Sequence, residues 1–152
     1  MAHWLVFVGE DADQQINRLV VCPNYVLLGG TAHAHWKPLN PAEPDGIRMG
    51  DTVWFFERGR GIDTLCEVIG PHTVDQRHPV RENVPFSFQW PVKVVKRWNP
   101  HIKPKVFGSL YTAANDGTGR IPVNKLGQFQ AGAYCHRLPD SVVAVLMSLT
   151  EP

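Results

Sequence analysis

The sequence lacks any apolar run near the roughly 18 residues that a membrane-spanning helix needs. Its first ten residues carry neither the basic stretch nor the small-residue cleavage site of a secretion signal. Charged residues are also few, 19% of 152 positions, whereas hydrophobic residues make up 43%. These proportions are typical of a folded globular chain and exclude wholesale disorder. We expect residues 1–152 to form a single cytoplasmic domain with a substantial core and no membrane association.

Cysteine is scarce, and the motifs of the common enzyme classes are absent. The three cysteines are widely spaced without a Cys-x-x-Cys pair, which favours buried free thiols over disulfides or a zinc site. There is no glycine-rich nucleotide motif, no Gly-x-Ser-x-Gly and no His-Glu-x-x-His. His33 and His35 have too few partners for a metal site, and Cys135-His136 lacks a third, orienting group. We predict no catalytic residue, no metal and no cofactor, hence a binding protein.

The strongest structural signal is a hairpin near the middle of the chain. Residues 52–56 and 62–69 are rich in β-branched and aromatic side chains, and they flank the turn sequence Arg58-Gly59-Arg60-Gly61. In the first run, Val53 and Phe55 fall on one face, and the residues between and after them are also apolar. A strand that is apolar on both faces belongs in the middle of a sheet or in a barrel wall.

The remaining pattern predicts an α+β fold around this hairpin. The expected elements are strands over 4–8, 25–28 and 86–98, helical patterns over 14–20 and 124–129, and a terminal helix from Asp140 or Ser141 with an apolar stripe of Val142, Val145, Leu146 and Leu149. Residues 106–112 fit a strand or a loop against the core, and 31–47 and 71–85 are long loops. Pro91 predicts an edge, a bulge or a bend within its strand. The sum is a mixed, barrel-like sheet of five or six strands with two or three short helices.

Charge is distributed unevenly along the chain. Residues 1–90 carry seven Lys and Arg against eleven Asp and Glu, whereas residues 91–139 carry eight cationic residues against Asp116 alone. Such a basic segment suggests an anionic partner, most commonly nucleic acid. The alternative is a solvated basic surface that balances acidic surface elsewhere.

Aromatic residues are concentrated in or beside the two long loops: Tyr25, Trp36, Phe86, Phe88 and Trp90. Aromatic walls of this kind can sandwich a flat ring such as a nucleobase. The alternative is that these side chains fill the ends of the core, above all Phe88 and Trp90, which lie within a predicted strand.

Four segments together resemble the EVE domains of the PUA-like superfamily and, more distantly, the YTH domains that read methylated bases. They are Gly46–Phe56, which contains Met49-Gly50-Asp51, then Cys66–Ile69, Phe88–Val94 and Arg120–Leu126. The resemblance implies a PUA-like twisted mixed β-barrel of five to six strands with two or three short helices. It also implies a pocket that accepts a modified base.

From the resemblance and the residues together, we expect a methylated or hydroxymethylated base, such as 5-methylcytosine, to be flipped into an aromatic pocket. The expected base-binding residues are Asp11, Tyr25, Trp36, Phe86, Phe88 and Trp90. The expected phosphate-binding residues are Arg58, Arg60, Lys93, Arg97, Lys103 and Lys105. The expected partner is nucleic acid, DNA favoured over RNA, in a modification-dependent restriction or regulatory system with a fused or associated nuclease or other effector. The alternatives are a PUA-like protein that binds or acts on a free nucleoside or another small molecule, and a protein-interaction scaffold.

Overall fold

A computed structural model describes residues 1–8, 26–30, 42, 44–57, 59–71, 73–77, 85–114, 121–128, 130 and 135–150; for 8, 26–30, 73–77, 85–89 and 98–100 it describes the backbone alone. Seven strands and two helices lie in this part of the chain. They are β1 (His3–Val8), β2 (Val26–Gly30), β3 (Thr52–Glu57), β4 (Gly61–Val68), β5 (Thr73–Arg77), β6 (Pro85–Ile102), α1 (Pro104–Ala114), β7 (Cys135–Arg137) and α2 (Asp140–Thr150). The helix predicted over 14–20 falls outside the described residues.

The strands form one mixed sheet in the order β2-β6-β4-β3-β1-β7, with β5 also paired to β6. β1 runs parallel to β3, and every other pairing is antiparallel. The α+β class and the mixed sheet are therefore confirmed, as is the position of the β3–β4 hairpin in its middle. The strand count exceeds the prediction of five or six, because β5 lies in what was expected to be a loop and β7 is too short for an apolar pattern.

The turn between β3 and β4 has the backbone that its glycines predict. Gly59 and Gly61 have φ angles of 77° and 102°, in the region that side chains with a Cβ rarely adopt. At Gly61 a Cβ would also lie 1.9 Å from the backbone oxygen of Ile102 on β6. Glycine at this position therefore permits both the turn and the close approach of β6.

The sheet buries both of its faces, as the alternating residues of β3 predict. One face packs the cluster Trp4, Val6, Ile47, Val53, Phe55, Cys66, Val68, Trp90, Val92 and Cys135. The other packs Leu5, Trp54, Phe56, Ile62, Leu65, Ile102, Phe107, Tyr111, Val123, Leu138, Val142, Val143 and Leu146, which include the inner faces of α1 and α2. Burying each large apolar side chain contributes about 1.5 to 3 kcal/mol, so this double core supplies most of the stabilisation.

Asp51 holds the beginning of the sheet together from within the motif Met49-Gly50-Asp51. Its carboxylate is buried and accepts hydrogen bonds from the Ala2 amide (3.0 Å), the Trp4 indole Nε1 (3.0 Å) and the Arg48 amide (2.9 Å). Gly50, with φ of 93°, donates its amide to the Val68 carbonyl at 2.8 Å. The motif therefore joins β1, β3 and β4, and its role is structural.

The helix α1 corrects the expectation of a strand or loop over 106–112. Phe107 and Tyr111 are one helical turn apart, so both are buried on the same face. Pro104 begins the helix, where the missing amide hydrogen costs nothing. The β-forming residues and the glycine in this segment concealed the helix, since local propensity is easily overridden by packing.

Two further sequence expectations about helices need correction. The helical pattern over 124–129 is a turn across the described residues 124–128, in which the Asn124 side-chain oxygen accepts the amides of Leu126 and Gln128, both at 3.0 Å. The terminal helix α2 begins at Asp140 as predicted. Its buried face includes Val143 instead of Leu149, which is 50% exposed. Among the described residues, no helix is long and apolar enough to cross a membrane.

Pro91 lies where one edge of β6 changes partners, while the other edge pairs with β2 across this residue. Residues from Val92 onward pair with β4, whereas Gln89 and the residues before it pair with β5. Proline has no amide hydrogen to donate to a ladder, and the Pro91 carbonyl accepts the Ile69 amide at 3.0 Å. The predicted change of course at this residue therefore coincides with a change of neighbouring strand.

Candidate functional site

A basic cavity of about 530 Å³ lies between the β3–β4 turn and the start of α1. Its volume is within the usual range of ligand-binding sites. Its lining comprises Gly59, Arg60, His101, Lys103, Pro104, Lys105 and Leu126. Arg60, Lys103 and Lys105 are three of the predicted phosphate-binding residues, and the fold brings them together although 43 positions separate Arg60 from Lys103 in the sequence. Cationic side chains gathered at one concave surface are suited to an anionic ligand.

The other predicted phosphate-binding residues lie away from this cavity. Lys93 is exposed on β6 opposite Glu67 of β4, and Arg97 is exposed further along β6, where its Nε is 3.4 Å from the Thr64 hydroxyl. Between them, Lys96 donates to the carbonyl of Thr150 at the end of α2, a favourable position for a cation. Arg58 falls outside the described residues.

The predicted base-binding residues are only partly within the described structure. Asp11, Tyr25 and Trp36 fall outside it, and of Phe86 and Phe88 only the backbone on β6 is described. Trp90 is 4% exposed and packs in the first core cluster, so for this residue the core interpretation holds. An aromatic base pocket therefore stays a prediction, and Trp90 does not form an open wall of it.

Beside the basic cavity, Glu57, Asp63 and His101 form a cluster that was not predicted from the sequence. The Nε2 atom of His101 lies 3.3 Å from Glu57 Oε2 and 3.1 Å from Asp63 Oδ2. The three side chains are only 15 to 19% exposed. Within the described part of the chain, these side chains offer three ligand atoms close enough together to hold a metal ion.

The backbone explains how these three residues meet. Asp63 is skipped in the register of β4 with β3, which passes from Phe55–Thr64 to Phe56–Ile62. The ladder between β4 and β6 is interrupted over the same residue. A β-bulge of this kind redirects the side chain of the extra residue. The predicted hairpin already places Glu57 and Asp63 beside the same turn; the approach of His101 requires the long-range pairing of β6 and carries no local sequence signal.

Of the three cysteines, Cys66 and Cys135 lie among the described residues, and neither is placed to react. Cys66 and Cys135 are buried free thiols, and burial raises the pKa of both well above the ordinary range. The histidine next to Cys135, His136, is hydrogen-bonded through Nε2 to the hydroxyl of Tyr111 at 2.8 Å. Burial raises the pKa of Tyr111 to about 12, so its hydroxyl keeps its proton at neutral pH. These groups therefore support the fold, and the prediction of buried thiols is confirmed for both.

No family model and no curated protein matches this sequence. Solved structures do share its fold. The human THYN1 protein in complex with DNA containing 5-methylcytosine superposes with a TM-score of 0.67 at 16% identity over the whole of both chains. A hypothetical protein from Leishmania major gives 0.64 at 16% identity, with 98% of this chain and 94% of that chain covered.

A YTH domain has the same fold at a greater distance. This domain, from the MRB1 protein of Zygosaccharomyces rouxii in complex with N6-methyladenosine RNA, gives a TM-score of 0.53 at 12% identity, with 99% of this chain and 88% of that domain covered. The fold is therefore the PUA-like α+β fold that the sequence resemblance implied. The superpositions establish the fold, but at identities this low they do not identify the ligand. The ligand has to be argued from the residues of the site.

Proposed function

We propose that this protein is a non-enzymatic, EVE-like module that recognises a modified base flipped out of nucleic acid into an aromatic pocket. The observation that carries the proposal is the basic cavity formed by Arg60, Lys103 and Lys105 on a PUA-like fold. Two neighbours in fold support it, since one was solved with DNA containing 5-methylcytosine and the other with N6-methyladenosine RNA. DNA is the preferred partner, in keeping with the higher fold similarity to the DNA-bound neighbour.

The phosphate backbone is the part of the ligand that the basic cavity fits. Lys103 and Lys105 are exposed at the beginning of α1, and Arg60 is exposed in the β3–β4 turn, so all three remain accessible to a phosphate. Lys93 and Arg97 are exposed elsewhere on β6, away from the cavity, and are proposed as further phosphate contacts. Affinity falls with salt, and each phosphate of duplex DNA that these side chains neutralise makes the slope of log affinity against log salt more negative by about 0.9.

The base itself would be held elsewhere, by Tyr25 and Trp36 together with the aromatic residues of the first part of β6. Extruding a base from the duplex costs a few kcal/mol, and stacking on one aromatic side chain returns about 1 to 3 kcal/mol. Tyr25, Trp36, Phe86 and Phe88 are the proposed stacking residues, and Asp11 is the proposed hydrogen-bond acceptor for the edge of the base. Such a module would give specificity to a modification-dependent restriction or regulatory system with a nuclease or another effector.

The test compares matched oligonucleotides at several salt concentrations. Fluorescence anisotropy is measured on duplex DNA with cytosine, 5-methylcytosine or 5-hydroxymethylcytosine, and on RNA with adenine or N6-methyladenine. The double variant Lys103→Ala/Lys105→Ala should reduce the salt slope by about 0.9 for each lost contact and weaken modified and unmodified DNA alike. The control is Arg137→Ala, which removes an exposed cation on the edge strand β7. Arg137 does not line the cavity, so this variant should leave the slope unchanged.

Recognition of the base is tested separately with Trp36→Ala. This variant should lose about 1 to 3 kcal/mol of affinity for the modified oligonucleotide at an unchanged salt slope, because stacking involves no counterions. Equal affinity for modified and unmodified DNA in the wild type would refute base reading. Binding of a free modified nucleoside with no gain from the surrounding oligonucleotide would instead favour a small-molecule-binding protein.

A further inference from the structure

We propose that Glu57, Asp63 and His101 bind a divalent transition-metal ion, with zinc as the reference ion, at the edge of the basic cavity. This inference stands independently of base recognition, and it departs from the sequence-based expectation of no metal site. Imidazole nitrogen together with carboxylate oxygen is a donor set that suits zinc and its neighbours in the first transition series.

The two distances from His101 Nε2 fit coordination to one ion, and all three ligand atoms lie within 4.8 Å of one another. Two ligand atoms bound to the same ion at about 2.0 to 2.1 Å lie about 2.8 to 3.4 Å apart, from neighbouring octahedral positions to tetrahedral ones. The two separations from His101 Nε2 are 3.1 Å to Asp63 Oδ2 and 3.3 Å to Glu57 Oε2. Without an ion, this nitrogen has at most one hydrogen to share between two carboxylates that are largely removed from solvent. A divalent cation satisfies all three groups at once.

Outer contacts hold both carboxylates in the orientation that such an ion needs. The Thr64 hydroxyl donates to Asp63 Oδ1 at 2.7 Å, and Arg60 Nη1 lies 3.4 Å from Glu57 Oε1. In each carboxylate one oxygen is therefore held by a neighbour while the other points to His101. Metal ligands are typically fixed by hydrogen bonds of this kind from the surrounding protein.

The position of the cluster also leaves room for a further ligand. Three protein ligands leave at least one coordination position of the ion open. His101 itself lines the basic cavity, together with Lys103 and Lys105. A water molecule or the oxygen of a bound anion would complete the coordination from that side. The bulge at Asp63 provides a backbone reason for the arrangement, since bulges commonly redirect side chains beside functional sites.

The experiment uses the full chain, stripped of metal with a chelator and titrated with zinc by isothermal calorimetry. We expect one zinc ion per chain at this site. The X-ray absorption spectrum of the zinc-loaded wild type should show one imidazole nitrogen with oxygen ligands and no sulfur. This readout needs no variant, so it remains decisive even if a substitution impairs folding.

Variants then locate the ion. Asp63→Asn and His101→Gln should abolish the calorimetric signal, and Thr64→Val should weaken zinc binding by about 10-fold because it removes only an orienting contact. Glu67→Gln changes an exposed carboxylate on the same strand and should bind zinc as the wild type does. The proposal is overturned if the wild type binds no zinc. The cluster would then be only a histidine that contacts two carboxylates. Full binding by Asp63→Asn and His101→Gln would also overturn the proposal, because the ion would then lie elsewhere.

Discussion

Replacing Asp51 should destabilise the protein more than replacing any exposed acidic residue. Its buried carboxylate accepts three hydrogen bonds, from the Ala2 amide, the Trp4 indole and the Arg48 amide. Asp51→Ala removes all three acceptor interactions and leaves their donors behind. A donor left without an acceptor destabilises the folded state, and this cost is larger the more completely the structure excludes water from the donor.

The expected magnitude follows from the burial of each donor. The bond from Trp4 is buried, and losing a bond to a charged group there costs about 2 to 3 kcal/mol. The other two bonds are partly buried, so water can replace the carboxylate and each loss costs about 1 kcal/mol. Asp51→Ala should therefore lower the free energy of unfolding by about 4 to 5 kcal/mol. Asp51→Asn should cost less, because its amide keeps one acceptor oxygen while its NH₂ group faces the remaining donors.

Urea unfolding followed by tryptophan fluorescence and circular dichroism measures both variants against Asp45→Ala, which removes an exposed carboxylate nearby. A double-mutant cycle with Trp4→Phe isolates the buried bond, and the two substitutions should be less than additive. A free energy of unfolding for Asp51→Ala within about 1 kcal/mol of the wild type would refute this reasoning. The motif Met49-Gly50-Asp51 would then need a role at the ligand.

Two other predictions concern the core and the pH dependence of stability. Trp54→Ala should lower the free energy of unfolding by about 3 to 5 kcal/mol, since the indole is buried on the face covered by the helices; an unchanged melting temperature with lost ligand binding would contradict this. Burial lowers the pKa of His3 from its ordinary 6.5, although the negative charges of Asp140 and Asp51 act to raise it. The unfolded chain therefore binds more protons, so stability should fall as pH drops below about 6.5. In urea unfolding at several pH values, His3→Gln should reduce this loss, and parallel profiles would exclude His3 as its source.

The middle of the fold could be predicted because its signals are local. In β3 the alternation of Val53 and Phe55 with Trp54 and Phe56 specifies burial on both faces, and the glycines of the following turn specify the hairpin. The same holds for the start of α2, where Asp140 precedes an apolar stripe. Each of these features depends on a few neighbouring residues.

The helix α1 and the Glu57–Asp63–His101 cluster could not be predicted because their causes lie far apart in the chain. Phe107 and Tyr111 become core residues only when the sheet gives α1 a surface to pack against. The partners of Asp63 in this cluster lie on two other strands, Glu57 on β3 and His101 on β6, so no local spacing relates the three residues. The basic segment was visible in composition, but composition does not separate Lys103 and Lys105, which line the basic cavity, from Lys96, which binds the end of α2.

The two proposals meet at the turn between β3 and β4. Arg60, Lys103 and Lys105 favour an anion in the basic cavity, while the carboxylates of Glu57 and Asp63 beside it oppose one. A bound divalent ion would neutralise those carboxylates and offer an open position to a phosphate oxygen. If both proposals hold, the affinity for nucleic acid and its salt slope will depend on whether the metal site is occupied. Phosphate binding has to be measured both on metal-free and on zinc-loaded protein, because the basic cavity can bind phosphate weakly without the ion and tightly with it.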